Sequence, residues 1–348
     1  MAGIFSYFHA RIDGYIGSRE TRAGHSAYLN RVTEQVVEGI NPRLRAVGGY
    51  ARKLRPAVER MTDYAGVVCS LLPGPIEFSR HAWVTDPTVR ALFATADDLQ
   101  RVFSRSEVVS HLFRQIQDQP TPCAYAVLGM QRADRTVFGM EQDGENIKKD
   151  VLQHTVSFGD YRVNQCADSD SILRDELRER ALNEMIKQTL RRIVGMEERR
   201  NGIRERKLML NMQLKVLEQE RYGLSDILRE TEEEASPKSA EIRAELEGLE
   251  QECSEVTEML GTLDTQLDAI GQLLSAPEDL VSVDRECLIV DQMNRVYDQD
   301  HAERGKKIEL GRIRFGEEET RFGVLALFPR ADFLEEEDFL ARTNRLFS

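Results

Sequence analysis

Residues 242–274 read IRAELEGLEQECSEVTEMLGTLDTQLDAIGQLL, and the reading of this stretch decides the architecture. Alternating steps of four and three pick out Ile242, Leu246, Leu249, Cys253, Val256, Leu260, Leu263, Leu267, Ile270 and Leu274, an apolar a/d seam held over more than four heptads. Such a seam must lie against something, and residues 196–228 just upstream supply the partner. With a turn near 231–236, Ser236 as N-cap and Pro237 at the first helical position, the two segments pair by a constant residue sum. Leu228 then meets Ile242, Leu217 meets Cys253, Leu210 meets Leu260, Ile203 meets Leu267 and Met196 meets Leu274. Each arm is expected to project roughly 50 Å at about 1.5 Å per residue.

Charge supports pairing within one chain. Residues 173–230 carry 14 basic and 11 acidic groups, whereas 231–277 carry 2 basic and 12 acidic. The acidic arm would repel a copy of itself and is neutralised by the basic one. Arg200, Lys207 and Arg221 fall on the seam of the first arm, where long stems cover apolar surface while the heads reach the acidic rim. Leu208, Met209 and Val216 lie beside that seam and widen the apolar stripe, so a further helix of this chain or a partner is expected there. Gly195, Gly202, Gly223, Gly261 and Gly271 each cost about 1 kcal/mol against alanine in a helix interior, which gives the rod soft points.

On either side of this insertion the period changes from 3.6 to 2. Residues 123–130 and 136–141 read as strands joined through Gln131-Arg132-Ala133-Asp134 as a hairpin, Asp143-Gly144 as another turn, and 151–158 as a third strand. Further strands are expected at 287–290, 308–315 and 322–328, with a capping helix over 331–347. The expected fold class is α+β and predominantly helical. It comprises an N-terminal helical domain (1–118), a linker (119–122), a small antiparallel β head in two parts (123–172 and 278–348) and an inserted antiparallel coiled-coil hairpin (173–277). Within the first domain, Asn41-Pro42 and Asp86-Pro87 start helices, Gly48-Gly49 and Pro56 bend one, and Pro73-Gly74-Pro75 stops it.

The net charge of −13, from 47 basic and 60 acidic residues in 348, argues against a general nucleic-acid coat. Cys69, Cys123, Cys166, Cys253 and Cys287 are odd in number and unpaired in spacing, which fits mostly buried thiols in a reducing compartment. The first residues lack a basic n-region, and the apolar run at 65–76 is too short to span a bilayer, so a cytoplasmic chain is expected. Residues 3–17 place Ile4, Phe5, Phe8, Ile12, Tyr15 and Ile16 on one helix face, which suits docking on the chain's own domain or peripheral contact with a membrane.

Signatures of chemistry are sparse. No phosphate loop or dinucleotide fingerprint occurs, Gly24-His25-Ser26 lacks the second glycine of a nucleophile elbow, and the six histidines stand at no metal-ligand spacing. Asp168-Ser169-Asp170-Ser171 reads as a helix cap, and Glu335-Glu336-Glu337-Asp338 as a solvated first turn. No catalytic, cofactor-binding or metal-ligating residue is assigned, and no cofactor is implied. The favoured expectation is a non-enzymatic cytoplasmic interaction or scaffold protein whose hairpin acts as spacer or docking arm for a protein partner, with Leu208, Met209 and Val216 as contact residues. Homo-oligomers of finished hairpins are compatible with it. One alternative is an enzyme with a site between helical domain and β head, using His154 and Asp160. The other is a membrane-surface-recruited factor acting through 3–17.

Overall fold

The computed structural model describes residues 19–115, 122–143, 146–228, 237–316 and 319–334. The expected helix over 3–17, the turn at 231–236 and the tail beyond 334 lie outside them. The fold is α+β and mostly helical, with one seven-stranded sheet among the described residues. The chain divides into two compact units at Thr62/Asp63, Glu184/Met185 and Pro277/Glu278. Residues 19–62 thus belong with the long helices and 63–115 with the sheet. The apolar period of Leu54, Val58, Met61, Ala65 and Val68 runs unbroken through that division, so the sequence carries no mark of it.

The helical unit holds α1 (Arg19–Ile40), the start of α2 (Tyr50–Leu71), most of α7 (Asp170–Leu228), α8 (Pro237–Leu260) and α9 (Leu263–Ser275). Asn41 accepts the Arg43 backbone N–H at 3.1 Å and starts a 3₁₀ turn, Pro42–Ala46, as its Asn-Pro pair leads one to expect. Its core includes Val32, Val36, Leu54, Val58, Ile186, Ile193, Ile203, Leu210, Leu267 and Ile270. Buried Thr33 and Thr189 return their hydroxyls to the carbonyls of Leu29 (2.7 Å) and Met185 (2.9 Å), so neither leaves an unpaired donor in the core.

Four ion pairs join α7 to α8: Arg199 with Glu252 (2.5 Å), Arg206 with Glu245 (2.8 Å), Lys207 with Glu250 (3.1 Å) and Glu218 with Arg243 (3.0 Å). Their order is antiparallel, but the register departs from the constant-sum pairing. That pairing sets Asp264 beside Arg206, nearly three heptads from Glu245. At Gly261-Thr262 the helix stops although the heptad pattern does not. Thr262 caps α9 by accepting from the Thr265 backbone N–H at 3.2 Å, while Thr265 returns the bond at 3.1 Å. The new helix then packs on the first helices of the chain: Asp264 pairs with Lys53 (2.9 Å), and Gln266 accepts from Asn41 (2.8 Å).

The sheet unit begins with β1 (Ile76–Glu77) and four short helices, α3 (Arg80–Thr85), α4 (Pro87–Leu92), α5 (Ala96–Ser104) and α6 (Glu107–Gln115). Ser79, Asp86 and Thr95 cap α3, α4 and α5 through their side-chain oxygens. The sheet order is β3-β2-β7-β6-β4-β5, with β1 parallel to β7 and every other pairing antiparallel. Here β2 is Cys123–Asp143, β3 Asn146–Ala167, β4 Val281–Val290, β5 Val296–Tyr297, β6 Lys306–Phe315 and β7 Glu319–Pro329. A short α10 (Pro277–Leu280) precedes β4. Because β2 pairs with β7 from Cys123↔Pro329 to Met130↔Phe322, strands from far apart in the chain share one sheet.

The hairpin expected at 131–134 is absent, since β2 runs straight through it. That tetrapeptide has no residue that a tight turn demands, and Arg132 is held in place. Its guanidinium bonds Asp134 and Glu286 and lies 5.7 Å from the Phe322 ring centroid. Leu128, Met130, Val156, Leu310, Val324 and Phe328 form the inner face, against Phe78, Phe93, Phe103 and Phe113 of the helical segments. Phe103 stacks on Phe328 at 4.7 Å and Phe93 on Tyr161 at 4.6 Å. Among the described residues no helix is long and apolar enough to cross a membrane.

Candidate interaction surface

On α7 the covered side chains recur at Ile203, Lys207, Leu210, Leu214 and Leu217, buried or half-buried. At 100° per residue, Leu208, Met212 and Val216 fall on the opposite side of the helix, with Met209 beside them. These four are 58%, 57%, 53% and 56% exposed, whereas Ile203 and Leu210 are buried. The surface is therefore apolar, continuous over about two turns and turned away from the covered side of the helix. Arg204 and Lys215 border it and are exposed. The anticipated residues Leu208, Met209 and Val216 sit together here. Met212 completes the row and follows from Leu208 by a simple step of four, so the signal that would have found it was present in the sequence.

A second apolar surface was not anticipated. Beyond its pairing with β7, β2 continues with β3 as a two-stranded ribbon, in which Phe138 faces Leu152 across the ladder. Phe138, Met140 and Leu152 are 73%, 65% and 54% exposed. The misplaced turn at 131–134 hid this feature, because a long ribbon needs β2 to be uninterrupted.

The acid-base pair considered for an enzyme is not brought together. His154 and Asp160 stand six residues apart on β3, roughly 20 Å in an extended strand. His154 Nδ1 lies 3.3 Å from the Thr136 hydroxyl. Asp160 pairs with Arg321 at 2.6 Å and Arg162 at 3.2 Å, and the Arg321 hydrogen bond holds its carboxyl below the usual aspartate range. Its arrangement is that of a structural ion pair. Gly24-His25-Ser26 lies inside α1. Asp170 pairs with Arg174 at 2.8 Å at the start of α7, and Ser169 accepts from Ile172, as a helix start requires. The acidic run 335–338 lies outside the described residues.

One cleft of about 740 Å³ is lined by Glu107, His111, Cys166, Asp168, Glu176 and Arg180. Burial pushes the Cys166 thiol up to about 12, so it stays protonated and is a poor nucleophile near neutrality. All five cysteines are free; Cys69 is buried, Cys287 is exposed and the others lie between, so the expectation of mostly buried thiols holds for Cys69 alone. Among the described residues no group of three or more His, Cys, Asp or Glu is placed to hold a metal ion. Comparison with family models, with curated proteins and with solved structures finds no match to this chain.

Proposed function

We propose that this chain is a non-enzymatic interaction or scaffold protein, in which α7 and α8 form an antiparallel coiled-coil hairpin that serves as a docking arm. The observation that carries the reading is the outward row Leu208, Met209, Met212 and Val216, left open while the inner seam of the same helix is covered. Contiguous exposed apolar surface is unfavourable in a folded chain and marks a site that a partner covers. Methionine and leucine at steps of three and four suit an amphipathic helix of another protein, which would lay its own apolar face along the row. Arg204 and Lys215 at the border favour acidic flanks on that helix. The free cysteines agree with a reducing, cytoplasmic setting.

The test is affinity capture from host lysate by the full chain and by the L208K/M212K/V216K variant, with circular dichroism on both. Partners held by the parent chain and lost from an equally helical variant support the docking arm. An identical captured set, or no partner for the parent, contradicts it.

A further inference from the structure

A second cleft of about 740 Å³ lies within the sheet unit and is built from three separate stretches of the chain. Trp83, Phe93, Phe158, Tyr161 and the 71%-exposed Met293 give it an apolar, largely aromatic wall, and Arg90, Arg101 and Arg105 bring charge to the same space. Asp98 lines it too, but its carboxylate pairs with Arg101 at 2.5 Å, so those two charges cancel. Arg90 and Arg105 have no carboxylate partner among the described residues. The Arg90 guanidinium instead lies 5.9 Å from the Trp83 ring centroid, a contact that uses the face of the cation and leaves its N–H donors free. In a chain of net charge −13, two unneutralised guanidinium groups against an aromatic wall form a local exception. The Tyr161 hydroxyl is already donated to the carbonyls of Leu92 and Phe158, so that ring contributes surface and no donor.

We infer that this cleft binds a phosphorylated planar heterocycle of nucleotide type, with the phosphate between Arg90 and Arg105 and the ring against the Trp83 side. Two guanidinium forks match a phosphate better than a single carboxylate, since a phosphate monoester carries about −1.5 to −2 charge and several acceptor oxygens near neutrality. Rings of any base stack on an aromatic or guanidinium plane, and the volume falls in the range of about 300–1,000 Å³ usual for small-ligand sites. Arg90 also lines a smaller adjoining cavity of about 290 Å³, where Asp86, Asp291 and Glu303 balance Arg304 and Lys306.

Trp83 is the sole tryptophan of the chain, and its emission therefore reports on this cleft. The full chain is titrated with ADP, adenosine and inorganic phosphate in turn, following Trp83 fluorescence and equilibrium dialysis. ADP is expected to bind and change the emission, with adenosine and phosphate each weaker by roughly tenfold or more. Arg105→Glu and Arg90→Glu should each weaken ADP by roughly tenfold or more, at unchanged thermal midpoints, and Arg105→Lys by less because it keeps charge without the fork. Absence of ADP binding at millimolar concentration overturns the assignment. So does binding that survives both charge reversals, or inorganic phosphate binding as tightly as ADP.

Discussion

Val156 donates its backbone N–H to the carbonyl of Asn294 at 2.9 Å, and beside that bond Thr155 bridges Arg295, so the two ends of the strand order meet. Asn294 is shaped for this junction. Its φ is 57° and its side chain donates to the Ala91 carbonyl at 2.8 Å. Asn294→Ala loses that hydrogen bond, worth about 1 kcal/mol, and places a Cβ-bearing residue without a compensating side chain in the left-handed region, a further cost of about 1 kcal/mol. Asn294→Gly loses only the bond. Urea unfolding should rank the parent above the glycine variant and the glycine variant above the alanine variant; equal loss in both would remove the backbone part of the argument.

Gly39 on α1 has no room for a methyl group. A Cβ there would sit 2.8 Å from Ile186 Cγ2 on α7. Alanine for glycine in a helix ordinarily stabilises by up to about 1 kcal/mol. Here overpacking reverses the sign, and Gly39→Ala should destabilise by about 1–3 kcal/mol. Ile186→Leu, which removes the Cγ2 branch, should recover part of the loss in the double variant, as read from chemical-denaturation midpoints.

Asp160 titrates lower in the folded chain than in the unfolded one, because Arg321 and then Arg162 bond its carboxylate. A depressed folded value contributes stability above the unfolded value of about 4 and loses it as pH falls through the folded value. Asp160→Asn, which keeps the positive φ of 48° accessible, should melt below the parent at neutral pH. The gap should close as pH drops below about 4. Melting curves at stepped pH check this, and a gap independent of pH would show that the charge is not its source.

Thiol reactivity should follow burial. Desolvation pushes Cys69 up to about 11 and Cys166 up to about 12, whereas the exposed Cys287 stands open to solvent on β4. Alkylation at mildly alkaline pH, mapped by mass spectrometry, should modify Cys287 first and reach Cys69 and Cys166 only on unfolding. Equal rates at Cys166 and Cys287 would contradict the description of that strand.

The strands at 306–315 and 319–329 and the caps at Asn41 and Asp86 are legible in the sequence, because β-branched runs and Asn-Pro or Asp-Pro pairs act locally. Arg132 is not, because its place in an unbroken β2 depends on Glu286 and Phe322, residues remote in the chain. The seam from Leu263 to Leu274 shows a related gap: a heptad pattern specifies which face is covered and not what covers it. Beside that seam Asp264 pairs with Lys53, Gln266 accepts from Asn41, and Gly271 lies against Leu54. Leu208 and Val216 could be named from their spacing alone. The cleft at Trp83 could not, since its walls come from stretches near residues 83–105, 157–161 and 292–294.

The proposed arm rests on α7 and α8 pairing within one chain in the register of Arg206 and Glu245. Nitroxide labels at these two positions, in a chain whose native cysteines are replaced, give their separation by double electron–electron resonance. Paired helices about 8–10 Å apart predict a label distance below roughly 25 Å that persists when labelled chain is diluted with excess unlabelled chain. A distance longer by roughly 28 Å, as the constant-sum register requires at about 1.5 Å per residue, or a short distance that vanishes on dilution, would contradict the account.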